Sequence, residues 1–251
     1  MVRIILERLR QKSRTSGYPR QEVELPDKFR GLPKINQEAC KTCKDRQCYA
    51  ACPTAALTGD AAFSLDLGRC IFCTECASAC KNRAIGFTSD FHLAARDRRD
   101  LVLTGKELIP VRKLENRMLK LFGRSLKLRE VSAGGCNACE ADTNVLNTLF
   151  YDLGRFGIQF VASPRHADGL FITGPVTRNM ELALKKTYAA IPGPKLVIAA
   201  GTCAVSGGLF RDHPETNNGA DSIVPVDLYI PGCPPHPLTI LDGLLRLLDK
   251  L

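Results

Sequence analysis

Eight cysteines fall between residues 40 and 80, and they fall twice in one pattern. The stretch CKTCKDRQCYAACP holds Cys40, Cys43, Cys48 and Cys52; CIFCTECASACK holds Cys70, Cys73, Cys76 and Cys80. Cys40 and Cys43 recur as Cys70 and Cys73 at one shared offset. Cys48 and Cys52 recur as Cys76 and Cys80 at a slightly shorter one, because the first unit has two extra positions between its second and third cysteines. A short similar segment follows each unit, TAALTGDAAFSLD and NRAIGFTSD. This is an internal repeat, not chance clustering.

The compartment narrows the chemistry. The N-terminus, MVRIILERLRQKSRTSGYPR, interrupts its short apolar run with charge and lacks the form of a secretory signal. No apolar run reaches the roughly 18 residues of a membrane span. The expected location is therefore the cytoplasm, where thiols stay reduced. Twelve cysteines there point to metal or redox chemistry and not to structural disulfides.

The second unit, Cys70-x2-Cys73-x2-Cys76-x3-Cys80, has the spacing of a bacterial ferredoxin run, in which the fourth cysteine ligates the other cluster. The expected assignment is Cys40, Cys43, Cys48 and Cys80 on one [4Fe–4S] cluster, and Cys70, Cys73, Cys76 and Cys52 on a second. Pro53 follows the fourth cysteine of the first unit as the pattern requires, whereas Lys81 stands there in the second. The competing metal is zinc, which also takes thiolates, but zinc sites usually space two CxxC pairs across a longer loop. Over some 50 residues the region resembles the two-cluster bacterial ferredoxins.

The chain divides into four segments by pattern. Residues 1–35 form a basic arm, where Val2, Ile5, Leu6 and Leu9 share one face of a short helix. Residues 36–88 form the α+β cysteine repeat. Residues 89–130 form a basic linker whose Val111, Leu114, Met118 and Leu121 fit one helical face. Residues 131–251 alternate short apolar runs (IQFVAS, GLFITG, KLVIAAG, DLYIPG) with helical stretches at 138–152, 178–190 and 238–250. Leu238, Leu241, Leu244, Leu245 and Leu248 line one side of the last helix. That alternation indicates an α/β domain with a mainly parallel sheet.

The basic surplus sits in the arm and the linker. Residues 1–34 carry nine Lys/Arg against four Asp/Glu, and residues 89–130 carry eleven against six, within a formal net charge of +9. Three oxidised cubanes with their thiolates, at roughly −2 each, leave about +3. Nucleic acid is then a poor partner. Basic stripes that dock a partner protein or anionic lipid, or ordinary solvated charge, fit better.

Four cysteines remain: Cys136, Cys139, Cys203 and Cys233. Each follows an apolar run, SLKLREVSAGG, KLVIAAGT or VDLYIPG. Ligands of open α/β sheets sit outside the carboxyl ends of the strands, so three such ends can bring four thiolates together. Gly134, Gly135, Gly201, Thr202 and Gly232 flank them, and backbone there is expected to approach a cluster and offer N–H groups to its sulfurs. A third [4Fe–4S] cluster is the expectation. The other reading is two pairs of buried free cysteines.

The segments AGGCNACE, ASPRHADGLFITGPVTRNM, AAGTCAVSGGLF and YIPGCPPHP resemble the subunit family shared by complex I and the small subunits of [NiFe] hydrogenases, over essentially all of 125–251. The resemblance implies a flavodoxin-like fold carrying one [4Fe–4S] cluster. It also implies a partner: a large subunit with the Ni–Fe centre, or its complex I-like counterpart, among further electron-transfer and membrane subunits. Complex I proteins place two adjacent cysteines at the first ligand position, whereas this chain has Cys136-x2-Cys139, as hydrogenase small subunits do. It looks most like the formate hydrogenlyase and energy-converting hydrogenase type, fused here to its ferredoxin-like neighbour. The implied role is electron transfer in an oxidoreductase complex at the cytoplasmic face of the inner membrane, held there by partner subunits. Catalytic metal is expected on the partner, since all twelve cysteines are allotted. The rival function is a related module that passes electrons to a quinone or another acceptor.

Glu140 follows Cys139 directly and has two readings: a proton carrier, or a first-turn carboxylate that stabilises its helix. His92, His166, His213 and His236 show no ligand spacing, and packing or hydrogen bonding is expected of each. GTCAVSGG lacks the P-loop lysine, so nucleotide binding is not expected.

Overall fold

The computed structural model describes residues 2–59, 63–104 and 108–251, so part of the segment trailing the first repeat lies outside the described residues. Helix α1 (Val2–Gln11) buries none of its residues. The cysteine repeat is built from very short elements: β1 (Pro33–Ile35), α2 (Gln37–Lys41), α3 (Gln47–Ala50), β2 (Leu57–Thr58), β3 (Ser64–Asp66), α4 (Glu75–Ser78) and β4 (Ile85–Phe87). The duplication is visible in the backbone. Arg46 and Thr74, at equivalent positions of the two units, both take positive φ just before α3 and α4. Ala55 and Arg83, equivalent in the same way, both have φ 47°. Strands β1 and β4 pair antiparallel, as do β2 and β3.

The segment expected as a linker contributes structure of its own. Strand β5 (Val102–Leu103) pairs with β3, and Ala95 exchanges two backbone hydrogen bonds with Tyr229. Arg98 clamps Asp66 with two hydrogen bonds of 2.8 and 2.7 Å. Helix α5 spans only Asn116–Phe122, so the stripe from Val111 to Leu121 is not one helical face. Val111 and Leu114 pack in the core from irregular chain ahead of α5, where the Leu114 N–H donates to the Leu247 carbonyl. Leu121 is exposed.

The rest is a parallel α/β sheet. In chain order it comprises β6 (Leu126–Ser132), α6 (Ala138–Val145), β7 (Ile158–Phe160), β8 (Gly169–Thr173), α7 (Arg178–Ala190), β9 (Leu196–Ala200), α8 (Thr202–Ser206), β10 (Leu228–Ile230) and α9 (Pro237–Leu247). The strand order is β10-β9-β8-β6-β7 with every pair parallel. Strands β8, β9 and β10 are buried along their whole length, because both faces are covered, and their sequences are accordingly unbroken apolar runs. Leu170, Ile172, Val197 and Ala199 face a core shared with Leu184 of α7, Ala204 of α8 and Leu65, Leu67 and Leu101 of the cysteine region. Phe171, Leu196, Ile198 and Ala200 face the other, which α9 fills with Leu238, Leu241, Leu244, Leu245 and the following Leu248. The sheet and the cysteine repeat thus share one hydrophobic core.

Helix α6 stops at Val145, short of the expected 152; residues 153–156 form a separate 3-10 turn that buries Leu153. The N-terminal arm behind α1 is tied down over the last helix. Tyr18 donates to the buried Asp242 of α9 at 2.6 Å, Arg246 donates to the same carboxylate at 2.9 Å, and Arg155 donates to the Ser16 and Tyr18 carbonyls.

Candidate metal centres

The first two quartets form with the cysteines exchanged between repeats. Cys40, Cys43, Cys48 and Cys80 line one cavity, together with Tyr49, Phe63, Ala84 and Ile85. Cys52, Cys70, Cys73 and Cys76 line another, walled by Ala56, Leu57, Leu65 and Phe87. The fourth cysteine of each unit therefore lies with the other unit's three. Close packing of α3 on α4, which carry Cys48 and Cys76, makes the exchange reachable. The Ala56 N–H donates to Cys52 Sγ and the Ala84 N–H to Cys80 Sγ, each at 3.2 Å, and the Phe72 N–H reaches Cys70 Sγ at 3.4 Å.

The third quartet assembles at the carboxyl edge of the sheet. Cys136 follows β6 and Cys139 sits in the first turn of α6; Cys203 is in α8 directly after β9, and Cys233 follows β10. Cys139 feels the charge of the other three thiols of this set, and Cys203 that of Cys233 and Cys136. Cys139 and Cys203 are partly covered, while Cys136 and Cys233 are exposed, so this site opens to the surface on one side.

The donor chemistry suits iron–sulfur clusters. Each quartet offers four thiols. Burial first, then the neighbouring thiols, pushes Cys70 up to about 12 and Cys76 and Cys203 up to about 11, and drives Cys139 up as well. A cationic core stabilises such thiols as thiolates, and binding releases their protons. Among the described residues no three His, Cys, Asp or Glu side chains converge closely enough to hold a single ion. Glycines keep the third site clear: a Cβ on Gly201 would lie 2.5 Å from Cys139 Sγ, and one on Gly208 2.8 Å from Cys203 Sγ.

One local expectation is corrected. The N–H groups of Gly201 and Thr202 do not face sulfur. They donate to the Ile230 and Gly232 carbonyls, at 2.8 Å each, because the loops after β9 and β10 must satisfy each other. The N–H that supports Cys203 comes from Leu209. Glu140 lies in the first turn of α6 and is 7% exposed; it accepts from Ser132 Oγ at 2.5 Å and Thr173 Oγ1 at 2.7 Å. Burial opposes its charge, but these hydrogen bonds outweigh burial and hold the carboxyl below its ordinary range. It is thereby a fixed anion that braces α6 against β6 and β8, in keeping with the stabilising reading. Glu130 is the opposite case. Burial, then the charge of Glu140, raises it to about 7, and its Oε1 has no hydrogen-bond partner among the described residues.

Three of the four histidines hydrogen-bond locally through their rings: His92 with Asp90 at 2.6 Å, His213 with the Glu215 N–H, and His236 as the cap of α9. Sequence reasoning missed Asp66, Arg98, Ser206 and the side chain of Thr202 as supports of the sites. Their partners lie far along the chain, Ser206 reaching Gly68 and Thr202 reaching Cys70, and no local signal marks them.

A parallel sheet with four thiols at its carboxyl edge, sharing a core with a duplicated eight-cysteine unit, defines an electron-transfer protein. Comparison with known proteins agrees. Residues 136–247 match the family described as NADH ubiquinone oxidoreductase, 20 Kd subunit. The chain is 44% identical over 143 residues to the probable membrane-bound hydrogenase subunit mbhJ of Pyrococcus furiosus, covering 86% of that protein and 56% of this one. It is 45% identical over 134 residues to formate hydrogenlyase subunit 7 of Escherichia coli, covering 52% of that protein and 53% of this one. It is 43% identical over 113 residues to a subunit of the NADH-quinone oxidoreductase of Desulfovibrio desulfuricans, covering 61% of that protein and 45% of this one. The chain belongs to the family of complex I 20 kDa subunits and [NiFe]-hydrogenase small subunits, and it is an oxidoreductase subunit.

Proposed function

We propose that the chain carries three [4Fe–4S] clusters and links an electron donor to the Ni–Fe site of a separate large subunit in a membrane-associated hydrogenase. Cys40, Cys43, Cys48 and Cys80 would hold the first cluster, Cys52, Cys70, Cys73 and Cys76 the second, and Cys136, Cys139, Cys203 and Cys233 the third. Such clusters supply one-electron transfer when bound. The chain's own part is to fix the sulfurs, bury Cys48, Cys70 and Cys76 of the first two quartets and leave the third open at Cys136 and Cys233, where a partner would seat. The observation that carries the hydrogenase reading is the two-residue gap between Cys136 and Cys139, which lies in a turn leading into α6.

The competing reading is a complex I-like or hydrogenase-related module that delivers electrons to a quinone or another acceptor. The family membership supports both. The purified complex distinguishes them: the hydrogenase reading expects nickel on the large partner and H2 evolution from reduced viologen, and an active complex without nickel overturns it. Anaerobic analysis should find about 12 iron atoms per chain, four for each cubane, with matching sulfide. Stoichiometric zinc instead would reject the cluster assignment.

No helix among the described residues is long and apolar enough to cross a membrane. We place the protein at the cytoplasmic face of the membrane, held through partner subunits. Helix α1 supports a docked position, since Val2, Ile5, Leu6 and Leu9 are all at least 60% exposed on one face with Arg3, Arg8 and Arg10 beside it. Deleting residues 1–14 should weaken membrane association of the complex without changing its iron content.

A further inference from the structure

The second and third quartets are joined by a hydrogen-bonded seam that no ligand pattern predicts. Thr202, directly before Cys203, is 1% exposed. Its Oγ1 lies 2.8 Å from the Cys70 carbonyl and 3.1 Å from the Gly232 carbonyl, and Gly232 directly precedes Cys233. One hydroxyl therefore touches the backbone of a second-quartet cysteine and of the residue beside a third-quartet cysteine, on a side chain adjacent to another. One turn on, Ser206, 5% exposed, donates to the Gly68 carbonyl at 2.7 Å, just before Cys70. The loop that ends in Cys70 is itself held from behind, by the Asp66–Arg98 clamp and by the Cys70 N–H to the Asp66 carbonyl at 3.0 Å.

The alternative route between these quartets is looser. Cys73 and Cys233 line one cavity together with Arg30, Asp142 and His236, and that cavity opens to solvent. Bonded contact through buried groups couples two redox sites better than a water-filled gap, and it fixes their separation.

We propose that Thr202 is a positioning residue for electron transfer between the second and third iron–sulfur sites, with Ser206 as its support. The inference rests on the three-cluster reading. In the step it serves, one electron leaves the reduced cluster at the second site and arrives on the oxidised cluster at the third. No bond is made or broken and no proton moves; in the test a reduced viologen is the electron source. Thr202 contributes a rigid contact from Cys70 to Cys203 and does not itself change charge.

The test uses the intact complex with Thr202→Val, which keeps the shape and removes the hydroxyl, Thr202→Ser, which keeps the hydroxyl, and Ser206→Ala. Three readouts are taken: iron and sulfide per chain, the magnetic interaction between the second and third sites by electron paramagnetic resonance, and the rapid-freeze rate at which the third site is reduced after the second. Thr202→Val should retain its iron, lose or alter the spin–spin interaction and slow transfer by about tenfold, the scale of one lost buried hydrogen bond. Thr202→Ser should restore both to within about twofold, and Ser206→Ala should fall between. Unchanged coupling and rate in an iron-replete Thr202→Val overturns the inference. So does loss of the third cluster in Thr202→Val combined with a wild-type rate in Ser206→Ala, because Thr202 is then only a scaffold. Fewer than three clusters in the wild type would sink the underlying reading instead, which keeps the two failures apart.

Discussion

The two cysteine regions reach similar ends by different means. In residues 40–80 the ligands come from loops around four-residue helices, and one cysteine of each unit is lent to the other. Regular elements there are only two to five residues long. At the sheet edge the four thiols follow β6, β9 and β10 of the parallel sheet, and β9 and β10 are buried along their whole length. The first region rests on short elements packed into the core it shares with the sheet. The second depends on space kept free beside its sulfurs, at Gly201 and Gly208 above all.

The largest effect should come from ligand loss. Cys203→Ser should lower iron from about 12 to about 8 per chain while leaving the first two cluster signals in place, because the sheet stands without the third. Cys80→Ser should perturb the cluster held by Cys40, Cys43 and Cys48, and not the one held by its own unit. Mössbauer and paramagnetic resonance spectra of both variants check this, and damage confined to the second cluster in Cys80→Ser would break the exchange between repeats.

Next in size is the space beside the sulfurs. Gly201 has φ 91° and ψ 148°, a region essentially reserved for glycine, so Gly201→Ala should cost about 1–3 kcal/mol from backbone strain and lower occupancy of the third site. Gly86 in β4, where a Cβ would meet nothing within 4 Å, offers the contrast. Gly86→Ala should change stability by less than about 0.5 kcal/mol. Thermal midpoints and iron content of the pair measure the difference.

The smallest effect is pH-dependent and belongs to the sheet region alone. Glu130 is raised to about 7 in the folded chain from an ordinary value near 4.5. Between those values the native state holds a proton that the unfolded state has lost, so stability falls as pH rises from about 4.5 to about 7. Glu130→Gln should flatten that slope. Its thermal midpoint should exceed the wild type's at pH 8 and approach it at pH 5; equal midpoints at both pH values would show that Glu130 is solvated well enough to ionise freely.

Much of this was legible in the sequence because it is local or periodic. Cysteine spacing gave the quartets to look for, and the repeat offset reappears as paired φ values at Ala55 and Arg83. The last leucine helix was expected at 238–250 and spans Pro237–Leu247, and the helix at 178–190 has those limits. Errors arose where burial overrode period. Helix α6 ends at Val145 since the following turn must bury Leu146 and Leu153. Val111 and Leu114 keep helical spacing yet lie in irregular chain and pack in the core with α9.

The sequence by itself determined the number and spacing of the thiols, the duplication and the parallel α/β frame. Those follow from backbone geometry that repeats within a few residues. Only the tertiary structure decided what the sites rest on. Thr202 meets Cys70 across 132 residues, Tyr18 meets Asp242 across 224, and Glu140 is held as an anion while Glu130 is not. A hydroxyl or carboxyl is the same letter wherever it stands. Its burial and its partner are set by which distant strands and loops the core brings together.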